Sequence, residues 1–217
     1  LALSDRLIQW SASGVVGVWA QENTRESMYA AFRRKETFAT SGPRIKVRLF
    51  ARYDIEKCKL EDESLIKKLY ATGTSMGGTL TQEGINEPTF LVWAARDPFG
   101  APLQRTQIIK GWLEDGEHRE KVFDVSCSDG LSIDPETYRC PNNGAIVDLD
   151  SCSISSNKGA VELKAFWKDP DFKADQEAFY YTRVLENPVC RWSTWDSVRE
   201  GVKPRSDIPA TIQERAW

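Results

Sequence analysis

The run from Thr89 to Ser126 confines this chain to a β-rich fold. Thr89–Ala95 (TFLVWAA) is a continuous apolar strand, and Asp97-Pro98-Phe99-Gly100 is a turn by composition. Leu103–Leu113 alternates, Asp115-Gly116 is a hairpin signal, and Glu120–Ser126 is its partner strand. Three antiparallel strands with a turn every ten or so residues predict a sandwich rather than a βαβ unit. Ala160–Lys168 and Ala178–Glu186 resume strand patterning after the long polar excursion 127–159. The expected class is mainly β (α+β), an antiparallel β-sandwich-like domain.

The stretch Glu22–Leu49 reads differently. Asn23 or Thr24 caps a helix that runs to about Lys35, and Asn23 has Glu26 at capping-box spacing. Met28, Ala31, Phe32 and Lys35 share one face, led by Met28 and Phe32. Thr37–Thr40 is a short strand, and Ser41-Gly42-Pro43 breaks it. Arg44–Phe50 then alternates, with Ile45, Val47 and Leu49 on one side. This hand-over predicts a boundary between residues 1–42 and a β-rich domain at 43–217. The first part has too few elements to close a core by itself. A second helix is expected near 61–70, with Leu65, Ile66 and Leu69 apolar.

Composition excludes several functions. The net charge of −3 argues against a general nucleic-acid binder. His118 is the single histidine, so the chain cannot build a His-rich metal site. No G-x-S-x-G elbow accompanies it for a Ser-His-Asp triad, and it reads as an exposed hairpin residue. Thr72–Thr81 carries three glycines but no Lys-Ser/Thr pair, which makes it a turn before a strand rather than a phosphate cradle. No apolar run approaches the ~18 residues of a spanning helix, so no membrane span is expected. Both ends read as cut from something longer, which leaves room for a lost targeting segment.

Three of the five cysteines crowd the loop 127–152. No C-x-x-C pair points to zinc. A loop so poor in apolar residues gains from a crosslink, and closing ~13 residues contributes roughly 3 kcal/mol. One or two disulfides are expected among Cys127, Cys140, Cys152 and Cys190, with Cys58 free. That usage points to a periplasmic or secreted protein; five ordinary thiols in a cytoplasmic protein is the alternative.

Several segments together resemble one family. They are WSASGVVGVWAQENTRESMYAAFRRKETFATSGPRIKVRLF, MGGTL, TFLVWAARDPFGAPLQRTQIIKGWLEDGE, FYYTRVLENPVCRWSTWD and TIQERAW. This set is similar to the C-terminal part of the domain-of-unknown-function family 3604, across nearly the whole chain. That family in turn resembles the PHP (polymerase and histidinol phosphatase) superfamily of metal-dependent hydrolases, which carry a His-x-His motif early in a distorted β/α barrel. No His-x-His occurs in this sequence. The resemblance therefore implies that 1–42 is the terminal helix-strand piece of such a barrel. The divalent metal and its ligands would belong to a missing N-terminal barrel domain, and the substrate would be a small phosphoester or related ester. By the rule that barrel enzymes place chemistry at strand C-terminal ends, Glu22, Asn23 and Arg44 are the candidate substrate-binding residues. A helix cap for the first two and an ion pair for Arg44 are the structural alternatives.

Two other readings compete. A stand-alone β-sandwich module can recognise carbohydrate through exposed Trp112, Trp167, Trp192 and Trp195. A carboxylate-pair hydrolase drawing on Asp97, Asp124 and Glu186 is the third.

Overall fold

The computed structural model describes residues 9–10, 13–53, 58–81 and 86–217. Residues 1–8, 11–12, 54–57 and 82–85 lie outside them. The described residues are mainly β, with antiparallel sheets and three short helices.

The six-stranded sheet has the order β1-β2-β12-β9-β6-β7. Its strands are Val15–Val18 (β1), Thr37–Thr40 (β2), Leu103–Glu114 (β6), Glu117–Cys127 (β7), Ala178–Glu186 (β9) and Arg215–Ala216 (β12). The four-stranded sheet has the order β4-β3-β5-β8. It is built from Lys46–Arg52 (β3), Thr74–Ser75 (β4), Thr89–Ala95 (β5) and Glu162–Lys168 (β8). Val189–Cys190 (β10) and Thr211–Ile212 (β11) form a separate pair.

The predicted three-strand meander is corrected in one respect. β6 and β7 form the expected hairpin around Asp115-Gly116, but β5 pairs with β3 and β8 in the other sheet. The reason lies in β5 itself, where Phe90, Leu91 and Val92 are all buried. A strand apolar on both faces needs a cover on each. One face of β5 meets the six-stranded sheet. The other meets the helix Leu65–Thr72 (α2), whose Leu65 and Leu69 pack on Phe50 and Leu91.

The two sheets share their core. Ile45, Val47, Ala94 and Leu163 from one pack against Leu103, Val184 and Ala216 from the other. Further along, Phe90 and Val92 meet Ile108, Phe123 and Val125. The Trp167 ring lies 5.7 Å from Phe90 and 5.2 Å from Phe123. Contacts of this kind carry most of the stability; truncating a fully buried Phe to Ala costs about 3–5 kcal/mol.

Residues 13–42 enter the same architecture. The helix Arg25–Arg34 (α1) is capped by Thr24, whose Oγ1 accepts from Ser27 N–H at 3.3 Å, and it ends at Lys35 in the left-handed region (φ 60°). Only Ala31 of its expected apolar face is fully buried, while Phe32 is half exposed. β2 joins the sheet through the last residues of the chain: Ala39 and Trp217 exchange backbone hydrogen bonds of 3.0 and 2.9 Å. The break at Ser41-Gly42-Pro43 is the point where the chain passes from one sheet to the other.

Candidate functional site

A cleft of about 930 Å³ opens where the α1–β2 junction meets the sheets. Lys35 and Thr37 border it on one side, the turn 75–80 on another, and Phe179, Tyr181 and Trp217 on a third. Phe179 and Tyr181, two residues apart on β9, stack with ring centroids 6.3 Å apart. The glycine-rich stretch 72–81 finds its reason here. Gly77 has φ +81°, and a Cβ there would stand 2.6 Å from the carbonyl oxygens of Arg34 and Lys35, against the Lys35 side chain as well. Only glycine lets the turn approach the end of α1 so closely. The walls are aromatic and apolar, with Lys35, Asp175 and Glu177 as the charged groups. Such a surface suits an apolar or aromatic body carrying a charged group.

The structure separates the residues that barrel logic put on one rim. Parallel strands share a C-terminal end, but β1 and β2 are antiparallel, with Val15 opposite Thr40 and Val18 opposite Thr37. Residues after β1 and residues after β2 therefore leave from opposite ends of the hairpin. Glu22 and Asn23 are exposed ahead of α1, where Glu22 Oε1 accepts from the Thr24 hydroxyl at 3.3 Å. The ten residues of α1 span about 15 Å, so both stand a helix length from Lys35. Arg44 is exposed, and its backbone N–H donates to Asp97 Oδ2 at 2.6 Å.

Of the three candidate carboxylates, Asp97 and Glu186 are neighbours and Asp124 is apart. A Cβ on Gly100 would lie 2.7 Å from Glu186 Oε1 and 3.1 Å from Asp97 Cβ. The backbone N–H groups of Arg44 and Phe99 hold the Asp97 carboxyl below its usual range. Burial, aided by the charges of Glu214 and Asp97, pushes Glu186 up to about 8. Glu186 is 1 % exposed and its Oε1 has no hydrogen-bond partner. It lies buried under the 97–100 turn. Asp124 is consumed by Arg105, Arg139, Gln107 and the Cys140 N–H. Among the described residues, no three His, Cys, Asp or Glu side chains are grouped to hold a metal ion. His118 is exposed on β7, opposite Leu113.

Cys127 pairs with Cys140 and Cys152 with Cys190, leaving Cys58 as a free thiol. These bridges pin the 127–159 excursion to β7 and to β10. Of the four tryptophans named for sugar recognition, Trp167 is packed in the core and Trp112 is half-buried. Trp192 and Trp195 are each 38 % exposed on the helix Trp192–Arg199 (α3). Sequence reasoning missed Arg105, Arg215 and Lys110, single charges in strand patterns with no local motif to mark them.

The fold and its site define a mainly β protein whose described residues form two larger antiparallel sheets and a two-stranded pair, with a helix on one outer face and a disulfide-tied loop. A family model described as "Protein of unknown function (DUF3604)" matches residues 3–217, and the chain belongs to that family. No curated protein matches the chain, and no solved structure matches it. No helix among the described residues is long and apolar enough to cross a membrane. The two disulfides are consistent with an extracellular location.

Proposed function

We propose that this chain is the C-terminal, β-rich part of a PHP-like metal-dependent hydrolase acting on a phosphoester or related ester. In this reading residues 1–42 are the last piece of a distorted β/α barrel, whose antiparallel β1 and β2 extend the six-stranded sheet of the sandwich-like domain 43–217. The observation that carries it is the uncovered apolar surface of the N-terminal unit. Among the described residues β1 is a sheet edge, and its Val16 is 63 % exposed. Tyr29 and Phe32 of α1 are 62 % and 51 % exposed. Surface of this kind marks an interface, and further chain completing the unit would cover it. The described residues offer no ligand cluster that fits the implied metal. The ligands are therefore assigned to the barrel, and this part borders the active site through the aromatic cleft at Lys35 and Thr37.

Elemental analysis of this chain beside the longer protein tests the assignment. Metal in the longer protein and none in this chain is the expected result, together with metal-dependent hydrolysis across an ester panel by the longer protein. Stoichiometric metal in this chain, or a longer protein that neither binds metal nor cleaves esters, overturns it.

The second reading, a carbohydrate-binding module, rests on Trp192 and Trp195, which stand one turn apart on α3 with partly open rings. Saturable quenching of tryptophan fluorescence by an oligosaccharide, lost in Trp192→Ala, would favour it over the first.

A further inference from the structure

A second cleft, of about 550 Å³, shares no residue with the aromatic one. Gln104, Arg105, Asn142, Gln213 and Arg215 are among its walls. Its position follows from strand register. Arg215 of β12 pairs with Leu185 of β9, and Leu185 pairs with Arg105 of β6. Paired residues share a face of the sheet, so the two arginines flank Leu185 on the same side, about 10 Å apart at Cα. That is within reach of two long side chains converging on one group.

A β-bulge prepares the site. Leu103 pairs with Glu186 and Arg105 with Leu185, so Gln104 is the extra residue on β6. A bulge re-aims the side chains beside it, and here both Gln104 and Arg105 reach the cleft. Gln104 is 7 % exposed. Its Oε1 accepts from Arg105 Nη2 at 2.8 Å and Nε at 3.1 Å, and from Gln213 Nε2 at 3.1 Å. Arg105 Nη1 donates to Asp124 Oδ2 at 3.0 Å and to the Cys140 carbonyl at 3.2 Å. Arg105 is thus held in one orientation before any ligand arrives.

Arg215 is its complement. Its backbone is engaged by the Ser41 hydroxyl, but its guanidinium donates to no group among the described residues. Further guanidinium groups stand nearby. Arg105 and Arg139 both pair with Asp124, and Arg183 donates to Gln107, which itself donates to Asp124. Arg215 adds a further guanidinium beside Leu185, next to Glu214, whose carboxylate accepts from the Ser41 hydroxyl. A planar fork of open N–H donors beside a second, fixed guanidinium is the arrangement that recognises a tetrahedral oxyanion.

We propose that this cleft binds a small oxyanion, the phosphate or sulfate group of a small molecule, between Arg215 and Arg105. The proposal does not rest on the hydrolase reading, and its test needs no turnover. The chain is titrated calorimetrically with inorganic phosphate and with sulfate, against sodium chloride at matched ionic strength. Saturable binding of both oxyanions is expected, and Arg215→Ala should weaken it by roughly tenfold or more, the loss of one charge-assisted fork. Lys67→Ala, on the exposed face of α2, should leave it unchanged. Equal heats from chloride, or wild-type affinity in Arg215→Ala, overturns the proposal. A measurement on the unmutated chain guards against a variant that fails to fold. Phenylglyoxal labelling of arginine, mapped by mass spectrometry, should show Arg215 protected by phosphate; labelling of Arg215 unchanged in saturating phosphate overturns the proposal as well.

Discussion

Lys110 Nζ sits 2.6 Å from Asp169 Oδ2, and the two side chains are 3 % and 0 % exposed. Tyr180 donates its hydroxyl to the same carboxylate oxygen at 2.7 Å, and Lys110 donates a second hydrogen bond to the Asp171 carbonyl at 2.9 Å. Burial and the Asp169 charge hold the Tyr180 hydroxyl protonated, well above its ordinary pKa. Removing one partner of a buried pair strands the other charge without water. Lys110→Ala should therefore lower stability by about 3–5 kcal/mol. Replacing both partners, Lys110→Met with Asp169→Asn, should cost less than the single change, because no naked charge remains. Urea denaturation of the three proteins decides it. A single variant losing under about 1 kcal/mol would show that water reaches the pair.

Glu186 gives a pH dependence with a definite sign. Its folded pKa of about 8 lies above the ordinary 4.5. Between those values the folded chain keeps a proton that the unfolded chain has lost, so stability falls as pH rises. The contribution is intact below about 4.5 and gone above about 8. Glu186→Gln, neutral throughout, should match the wild type near pH 4. At pH 9 it should exceed it by a few kcal/mol, at about 1.4 kcal/mol per pKa unit. Melting temperature against pH for both proteins checks this. Asp97 acts in the opposite direction, its depressed pKa costing stability as pH falls, but it is common to both proteins and cancels in the difference.

The two disulfides close loops of unequal length, 13 residues for Cys127–Cys140 and 38 for Cys152–Cys190. Loop-closure entropy grows with the logarithm of length, giving about 3 kcal/mol for the first and about 4 kcal/mol for the second. Paired Cys→Ala variants should lose stability in that order. Alkylation without reductant should label Cys58 alone; label on all five cysteines would remove both crosslinks.

Gly77 and Gly116 share a backbone conformation, φ +81° and +80°, but differ in surroundings. Alanine at either position strains the backbone by about 1 kcal/mol. At Gly116 nothing lies within 4 Å, whereas at Gly77 the carbonyls of Arg34 and Lys35 are in the way. Gly77→Ala should cost more than Gly116→Ala. It should also speed amide exchange at Met76 and Gly78, as the turn lifts from α1 and the cleft loses one wall. Equal losses in the two variants would mean that the turn is not tightly docked.

The elements were readable from local pattern. Alternation marked β3 and the β6–β7 hairpin, and Asp115-Gly116 marked its turn. Asn23 and Thr24 were both legible as caps, of which Thr24 is the one that caps α1 and the Asn23 capping box does not form, and Leu65, Ile66 and Leu69 were legible as the apolar stripe of α2. One histidine is too few for a His-rich site, and the lack of a C-x-x-C pair argues against a zinc knuckle. These are local properties, set by side-chain period and by what a residue does to its own backbone.

Which element neighbours which came from the packed fold. Four cysteines allow three connectivities, and the pairing followed from where the 127–159 excursion lay down. β5 left the predicted meander because both of its faces had to be buried. The antiparallel run of β1 and β2 parted Arg44 from Glu22 and Asn23. Arg105 and Arg215 flank Leu185 of β9, separated by more than a hundred positions, and neither shows a motif that announces the other. Register and cover are settled by burying apolar area on both sides of every sheet at once. That global condition is not written in any window of the chain.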